Sequence, residues 1–248
     1  MRLKGKTAIV TGAASGFGAG IARKFIAEGA RVMLADINAA AAGELAEELG
    51  DHACAHTVNV AEAADVAAMA ARAFADFGTL DILVNNAGVT HLPMAMEDVD
   101  EAEFDRVLAV NAKSVYLSAR HIVPHMKTNG AGAILNVAST AGVSPRPRLS
   151  WYNASKGWMI TATKAMAVEL APAGVRVNAI NPVAGETPLL KSFMGEDTPE
   201  MRAKFLATIP LGRFSTPEDM GNAACFLCSD EAAIITGVCL EVDGGRCI

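Results

Sequence analysis

The chain has 248 residues, with 27 acidic against 21 basic side chains and a formal net charge of −6. Hydrophobic residues make up 52% and charged ones 19%, a balance that excludes a disordered chain and is ample for a buried core. The acidic surplus argues against nucleic acid or an anionic membrane as partner, and no run of about 18 uncharged apolar residues is long enough to cross a bilayer.

In chain order, Met1 to Lys6 lead straight into an apolar strand at Thr7–Thr11, without the apolar core of a secretion signal. Further strands are predicted at Arg31–Asp36, His52–Asn59, Asp81–Asn85, Ala133–Ser139, Arg176–Asn181 and Val238–Val242. Helical periodicity fills the gaps, as at Gly18–Glu28, Ala39–Leu49 and Ala61–Phe77, and long helices are expected around Ala102–Met126 and Ser150–Ala171. Strands alternating with helices of this length imply βαβ units, hence an α/β fold with a seven-stranded, doubly wound parallel sheet covered on both faces. No linker or repeat divides residues 1–248, so one domain is expected. Five prolines between Pro182 and Pro217 break the rhythm, and the short amphipathic pieces Leu189–Met194 and Pro199–Ala207 within this stretch suggest a substrate lid at about 183–213. The five cysteines are scattered and odd in number, which suits a reducing cytoplasm. Cys225 and Cys228 form a C-x-x-C inside an apolar helical pattern and read as small core residues.

After the first strand, Thr11-Gly12-Ala13-Ala14-Ser15-Gly16-Phe17-Gly18 opens a helix. Glycines there allow a sharp turn and a close backbone approach to a pyrophosphate, which the positive helix end favours. An acidic residue, Asp36, ends the second strand 24 positions after Gly12, close to the spacing at which a carboxylate reaches the adenosine ribose. A carboxylate there repels a 2′-phosphate, and Ser15, Ile37 and Asn38 supply no compensating positive charge, so NAD is expected rather than NADP.

The turn, followed in order by Asn85-Asn86-Ala87-Gly88, Asn111, Ser139, Tyr152-Asn153-Ala154-Ser155-Lys156 and Val242-Asp243-Gly244-Gly245, resembles the short-chain dehydrogenase/reductase family over essentially the whole chain, which implies a Rossmann-type fold. Tyr152 and Lys156 are four apart and share a helix face. A neighbouring ammonium and an oxidised nicotinamide ring both favour phenolate, so Tyr152 is expected to take the proton in alcohol oxidation and return it in carbonyl reduction. Ser139, at the carboxyl edge of the sheet, can hydrogen-bond the substrate oxygen. By resemblance, Lys156 also holds the nicotinamide ribose and Asn111 holds a water that links Lys156 to solvent. Hydride passes between nicotinamide and substrate carbon, so no metal is called for.

The resemblance further implies cofactor contacts from Ser15, Gly16, Phe17, Gly18, Asn85, Ala87, Gly88, Tyr152, Pro182 and Thr187, and from Asn59 and Val60 at the adenine. The chain departs from the family twice: Asn59 stands where an Asp is usual, and Val183 replaces a Gly after Asn181-Pro182. The loop between Ser139 and Tyr152 borders substrate in the family. Arg146 and Arg148 on it are candidate ligands for an anionic group, Arg246 beside the chain end is another residue of interest, and His91 and Met94 are candidate walls. The stretches Gly185-Glu186-Thr187-Pro188, Trp151-Tyr152 and Gly244-Gly245-Arg246 resemble a branch that oxidises assorted alcohols, hydroxymethyl-arenesulfonates among them. The expected activity is NAD-linked hydride transfer with a small secondary or benzylic alcohol or carbonyl, an anionic one included. The alternatives are a 3-oxoacyl-carrier-protein reductase, a glucose-type sugar dehydrogenase and a non-catalytic dinucleotide-binding protein. The last predicts a damaged Ser/Tyr/Lys set, and here the set is intact. A cytoplasmic homotetramer is the state the resemblance implies.

Overall fold

The computed structural model describes residues 1–248. Seven parallel strands form one sheet: β1 (Thr7–Thr11), β2 (Arg31–Asp36), β3 (Ala53–Thr57), β4 (Ile82–Asn85), β5 (Gly132–Val137), β6 (Val175–Pro182) and β7 (Cys239–Val242). Their spatial order is β3-β2-β1-β4-β5-β6-β7, so the chain reverses direction across the sheet between β1 and β4. Such a switch point opens a crevice at the carboxyl ends of the strands.

Both faces are covered by helices, and β1 shows why its sequence is continuously apolar. Ala8 and Val10 enter the core beneath α1 (Gly16–Ala27) and α9 (Pro217–Cys228), where Ile21, Phe25, Met220 and Leu227 meet them. Ile9 points the other way, into the layer formed with Met69 and Ala73 of α3 (Ala63–Phe77). Leu117 and Met126 of α5 (Ser114–Asn129) and Leu170 of α6 (Ser150–Leu170) complete that layer. Burying alternate residues on both faces requires an uninterrupted hydrophobic run. Helix starts are set locally: Asn38 caps α2 (Ala39–Leu49) by accepting from the Ala41 amide at 3.1 Å, and Thr216 and Asp219 form a reciprocal box at the start of α9.

The helix expected around Ala102–Met126 is interrupted. It divides into α4 (Glu101–Leu108), a π-turn at Ala109–Lys113, and α5. Such turns accompany functional positions, and this one carries Asn111. In the proline-rich stretch, two short helices, α7 (Leu190–Met194) and α8 (Pro199–Leu206), fold around a small core of Val183, Leu190, Met194, Phe205, Ile209 and Phe214. Cys225 and Cys228 are buried in α9 as small core residues, and burial raises the Cys228 thiol to about 12.

Candidate active site

A cavity of about 690 Å³ runs along the carboxyl edge of the sheet from β2 to the segment 183–205. One end is the turn after β1. Gly12 and Gly16 adopt φ of +63° and +53°, which glycine reaches without strain. Gly18 is needed for closeness: a Cβ there would lie 2.1 Å from the Gly12 carbonyl oxygen. It lets α1 pack against the strand end and does not line the cavity, as Gly12, Ser15, Gly16 and Phe17 do. Ser15 occupies the cap position of α1 without a side-chain capping bond, which leaves its hydroxyl available to a ligand at the helix start.

The Asp36 carboxylate bounds this end of the cavity, holding the turn through the Ala14 amide at 2.9 Å and accepting from the Asn38 amide at 2.9 Å. It carries negative charge where an adenosine ribose would lie. Val58, Asn59 and Val60 border the adjoining wall; the Asn59 carboxamide oxygen accepts from the Ala61 amide at 3.1 Å. The cradle, the uncapped helix start and the carboxylate beyond it fit a dinucleotide.

Two residues that hold this end together were not singled out from the sequence. Thr11 Oγ1 accepts from the Asn86 and Ala87 amides at 3.0 and 3.1 Å, and donates to the Val84 carbonyl. Asn86 Nδ2 donates to the Thr11 and Gly12 carbonyls at 2.8 and 3.0 Å. Together they lock β1 to β4 at the switch point. Their adjacency to Gly12 and Asn85 in the motifs was the available signal.

Asn85 itself does not reach the cavity. Its Nδ2 donates to Asn136 Oδ1 at 2.9 Å, and Asn136 donates to Thr163 at 2.9 Å, a buried polar chain joining β4, β5 and α6. The Asn85 side chain is thus committed to the protein interior and does not line the cavity. Ala87 and Gly88 do line the wall, as do Pro182 and Thr187 opposite.

Ser139 follows β5 and starts the short turn Thr140–Gly142, where its Oγ accepts from the Ala141 amide at 3.0 Å. Tyr152 and Lys156 come from the first two turns of α6 and are buried. Burial pushes the Tyr152 phenol up to about 12, with a hydrogen bond to Ser139 pulling the other way. Burial also lowers the Lys156 ammonium to about 8, and its Nζ donates to the Val137 carbonyl at 2.8 Å. The expectation that Lys156 draws the phenol down is thus not met by the protein alone, because burial dominates.

Asn111 lies behind these groups, outside the cavity lining. Its Oδ1 accepts from the Val89 amide at 2.9 Å, while Nδ2 donates to the Val89 carbonyl and Ser155 Oγ, each at 2.9 Å. Both ends of the carboxamide are thus held by protein groups.

Of the four substrate candidates, only Arg146 lines the cavity. Arg148 is exposed, has φ of +68°, and donates to the Pro93 carbonyl at 3.3 Å, while its own carbonyl accepts from the Met94 amide. It clamps two loops together and takes Met94 out of the wall. His91 is buried beside them, its Nδ1 2.8 Å from the Leu92 carbonyl. Local spacing could not separate these from Arg146, since the division depends on the path of the loop. Leu149, Val183, Phe193 and Phe205 supply the apolar wall, and the Phe193 ring meets Tyr152 edge-on at 5.1 Å.

A doubly wound sheet with a glycine cradle at its switch point and a Ser–Tyr–Lys group beside it defines a Rossmann-type oxidoreductase. The family model described as "Enoyl-(Acyl carrier protein) reductase", a short-chain dehydrogenase type, matches residues 12–246. The 4-formylbenzenesulfonate dehydrogenase TsaC1/TsaC2 of Comamonas testosteroni is 52% identical over 99% of both chains. The D-threitol dehydrogenase of Mycolicibacterium smegmatis is 42% identical, covering 100% of this chain and 95% of its own. A crystal structure described as the 3-ketoacyl-(acyl-carrier-protein) reductase of Brucella melitensis complexed with NADH superimposes with a TM-score of 0.95 at 52% identity, over 99% of this chain and 100% of the other. The chain belongs to the short-chain dehydrogenase/reductase family. No helix is long and apolar enough to cross a membrane.

Proposed function

We propose that this protein is an NAD-dependent dehydrogenase that interconverts a small secondary or benzylic-type alcohol and its carbonyl compound. The observation that carries the reading is the meeting of Ser139, Tyr152 and Lys156 in one cavity whose far rim is the Asp36 carboxylate. The relatives described as 4-formylbenzenesulfonate and D-threitol dehydrogenases support an alcohol or aldehyde substrate, and the NADH in the Brucella melitensis structure supports the cofactor.

The bound nicotinamide supplies the hydride chemistry. Gly12, Gly16 and the start of α1 receive the pyrophosphate, and Asp36 receives the ribose hydroxyls. Ser139 Oγ, next to Tyr152 in the cavity wall, orients the substrate oxygen and stabilises the charge that develops on it. Tyr152 Oη takes the hydroxyl proton during oxidation and returns it during reduction. The phenol must become more acidic than burial alone allows, and a positive charge brought next to it has the required sign. Lys156 turns from the Val137 carbonyl to the ribose and adds to that charge. Asn111 fixes the π-turn behind Lys156 through Val89 and Ser155, and the second lone pair of its Oδ1 can still accept from a water there. The segment 183–213 serves as the lid of a single domain over residues 1–248, and the protein acts as a cytoplasmic homotetramer. Light scattering that returned a monomer would overturn the last point.

A second reading, reduction of a 3-oxoacyl thioester, is favoured by the description of the Brucella melitensis structure. The deciding experiment measures NADH formation at alkaline pH with neutral, benzylic, polyol and anionic alcohols, and acetoacetyl thioester reduction beside them. Preferred thioester reduction with NADPH would replace the first reading by the second.

A further inference from the structure

Arg146 lines the substrate side of the cavity, and Arg246 reaches the same loop through Ser144. Arg146, on the loop between β5 and α6, lies with its guanidinium carbon 4.2 Å from the centre of the Phe205 ring and donates to Thr208 Oγ1 at 3.0 Å. Arg246, beyond β7, donates to Ser144 Oγ at 3.1 Å, and its buried Nε has no partner. Both Ser144 and Arg146 line the cavity. Neither guanidinium belongs to an ion pair, a state shared with Arg31, Arg120, Arg148 and Arg176, none of which lines the cavity. The one carboxylate in the cavity wall, Asp36, is on β2, three strands away from β5 in the sheet.

Two like charges held close without an ion-pair partner are mutually unfavourable, and burial adds to the cost. Arg146 shows both effects, its guanidinium weakened first by burial and then by the charge of Arg246. An oxyanion placed between them removes the repulsion and satisfies several N–H donors in charge-assisted bonds. Leu149, Phe193 and Phe205 supply the apolar wall on this side.

We infer that Arg146 and Arg246 form an oxyanion subsite, so that the preferred substrate carries a carboxylate or sulfonate separated by an apolar body from the carbon that is oxidised. The inference rests on the dehydrogenase reading for where the reacting carbon lies, but the subsite can be tested without turnover.

The test has a binding arm and a kinetic arm. Benzoate, benzenesulfonate and benzamide are titrated calorimetrically into the protein–NADH complex. Oxidation of 4-(hydroxymethyl)benzoate and 4-(hydroxymethyl)benzenesulfonate is then compared with that of the matching neutral amides. The wild type is expected to bind at least one of the two anions about tenfold or more tighter than benzamide, and the arm that wins identifies the oxyanion. Arg146→Gln and Arg246→Gln should each lower the anion-to-amide ratio severalfold, by about 5-fold or more, in affinity and in kcat/KM. Arg146→Lys, which keeps the charge but loses the planar fork, should fall between and serves if a glutamine variant does not fold. Equal affinity for anion and amide in the wild type overturns the subsite. So does a loss shared equally by both, or a change of oligomeric state with the ratio intact, which would assign the arginines to a subunit contact. Arginine-dependent anion binding without oxidation of any alcohol would leave the subsite standing and remove the dehydrogenase reading. Oxidation without anion preference would do the reverse.

Discussion

Tyr152 and Lys156 stand one turn apart on the same face of α6, and the same burial acts on them in opposite senses. The phenol is raised to about 12 and the ammonium lowered to about 8. Each shift disfavours a charge, since the phenol becomes charged on losing its proton whereas the lysine is charged until it loses its own. The phenol is thus held neutral at physiological pH, while the ammonium stays mostly charged at pH 7 at a cost that burial imposes.

Lys156 should therefore cost stability at neutral pH. Its folded value near 8 lies below the ordinary value of about 10.4, so charging it is penalised in the folded state wherever the unfolded chain is protonated. The penalty is full below pH 8 and vanishes as pH rises towards about 10.4. Lys156→Met is expected to gain about 1–3 kcal/mol at pH 7 and progressively less above pH 8, while losing activity. Denaturant melts at several pH values check this, and equal or lower stability of the variant at pH 7 would contradict it.

Asp36 sets the cofactor preference in this account. Its carboxylate would meet ribose hydroxyls favourably and a 2′-phosphate unfavourably. Asp36→Ala is expected to shift the NADH-to-NADPH affinity ratio about 100-fold towards NADPH, with part of the loss coming from the freed Ala14 and Asn38 amides. Fluorescence titration with both cofactors reads the ratio directly. An unchanged ratio would exclude Asp36 as the determinant.

The hydroxyl of Thr11 is the joint between β1 and β4. Thr11→Val keeps the shape but strands the Asn86 and Ala87 amides, and should cost about 2–3 kcal/mol in stability with weaker NADH binding. Thermal unfolding that matched the wild type would show that water or a shifted backbone replaces the bond.

Local sequence carried a large part of this structure. β1, β2 and α2 have the predicted bounds because hydrophobic period and flanking Gly or Asn fix them without reference to the rest of the chain. The start of α6 at Ser150 was legible too, and with it the shared face of Tyr152 and Lys156. What escaped was tertiary. The break between α4 and α5 accompanies bonds from Asn111 to Val89 and Ser155, residues 22 and 44 positions away. Arg146 and Arg148 are two positions apart, yet one enters the cavity and the other, with its left-handed backbone, clamps Pro93. Asn85 looked like a cofactor ligand because it heads a motif, but its partner is Asn136 on the neighbouring strand. No periodicity encodes a choice among partners so far apart in the chain.

The most direct test of the account is Tyr152→Phe, assayed for NAD-dependent oxidation of the best alcohol in the panel at alkaline pH, with NADH binding measured in parallel. Loss of the proton acceptor should lower kcat about 10²–10⁴-fold while the NADH dissociation constant stays within about threefold of the wild type. Near-normal turnover by a variant that still binds NADH would show that another group moves the proton, and the role given to Tyr152 would fall.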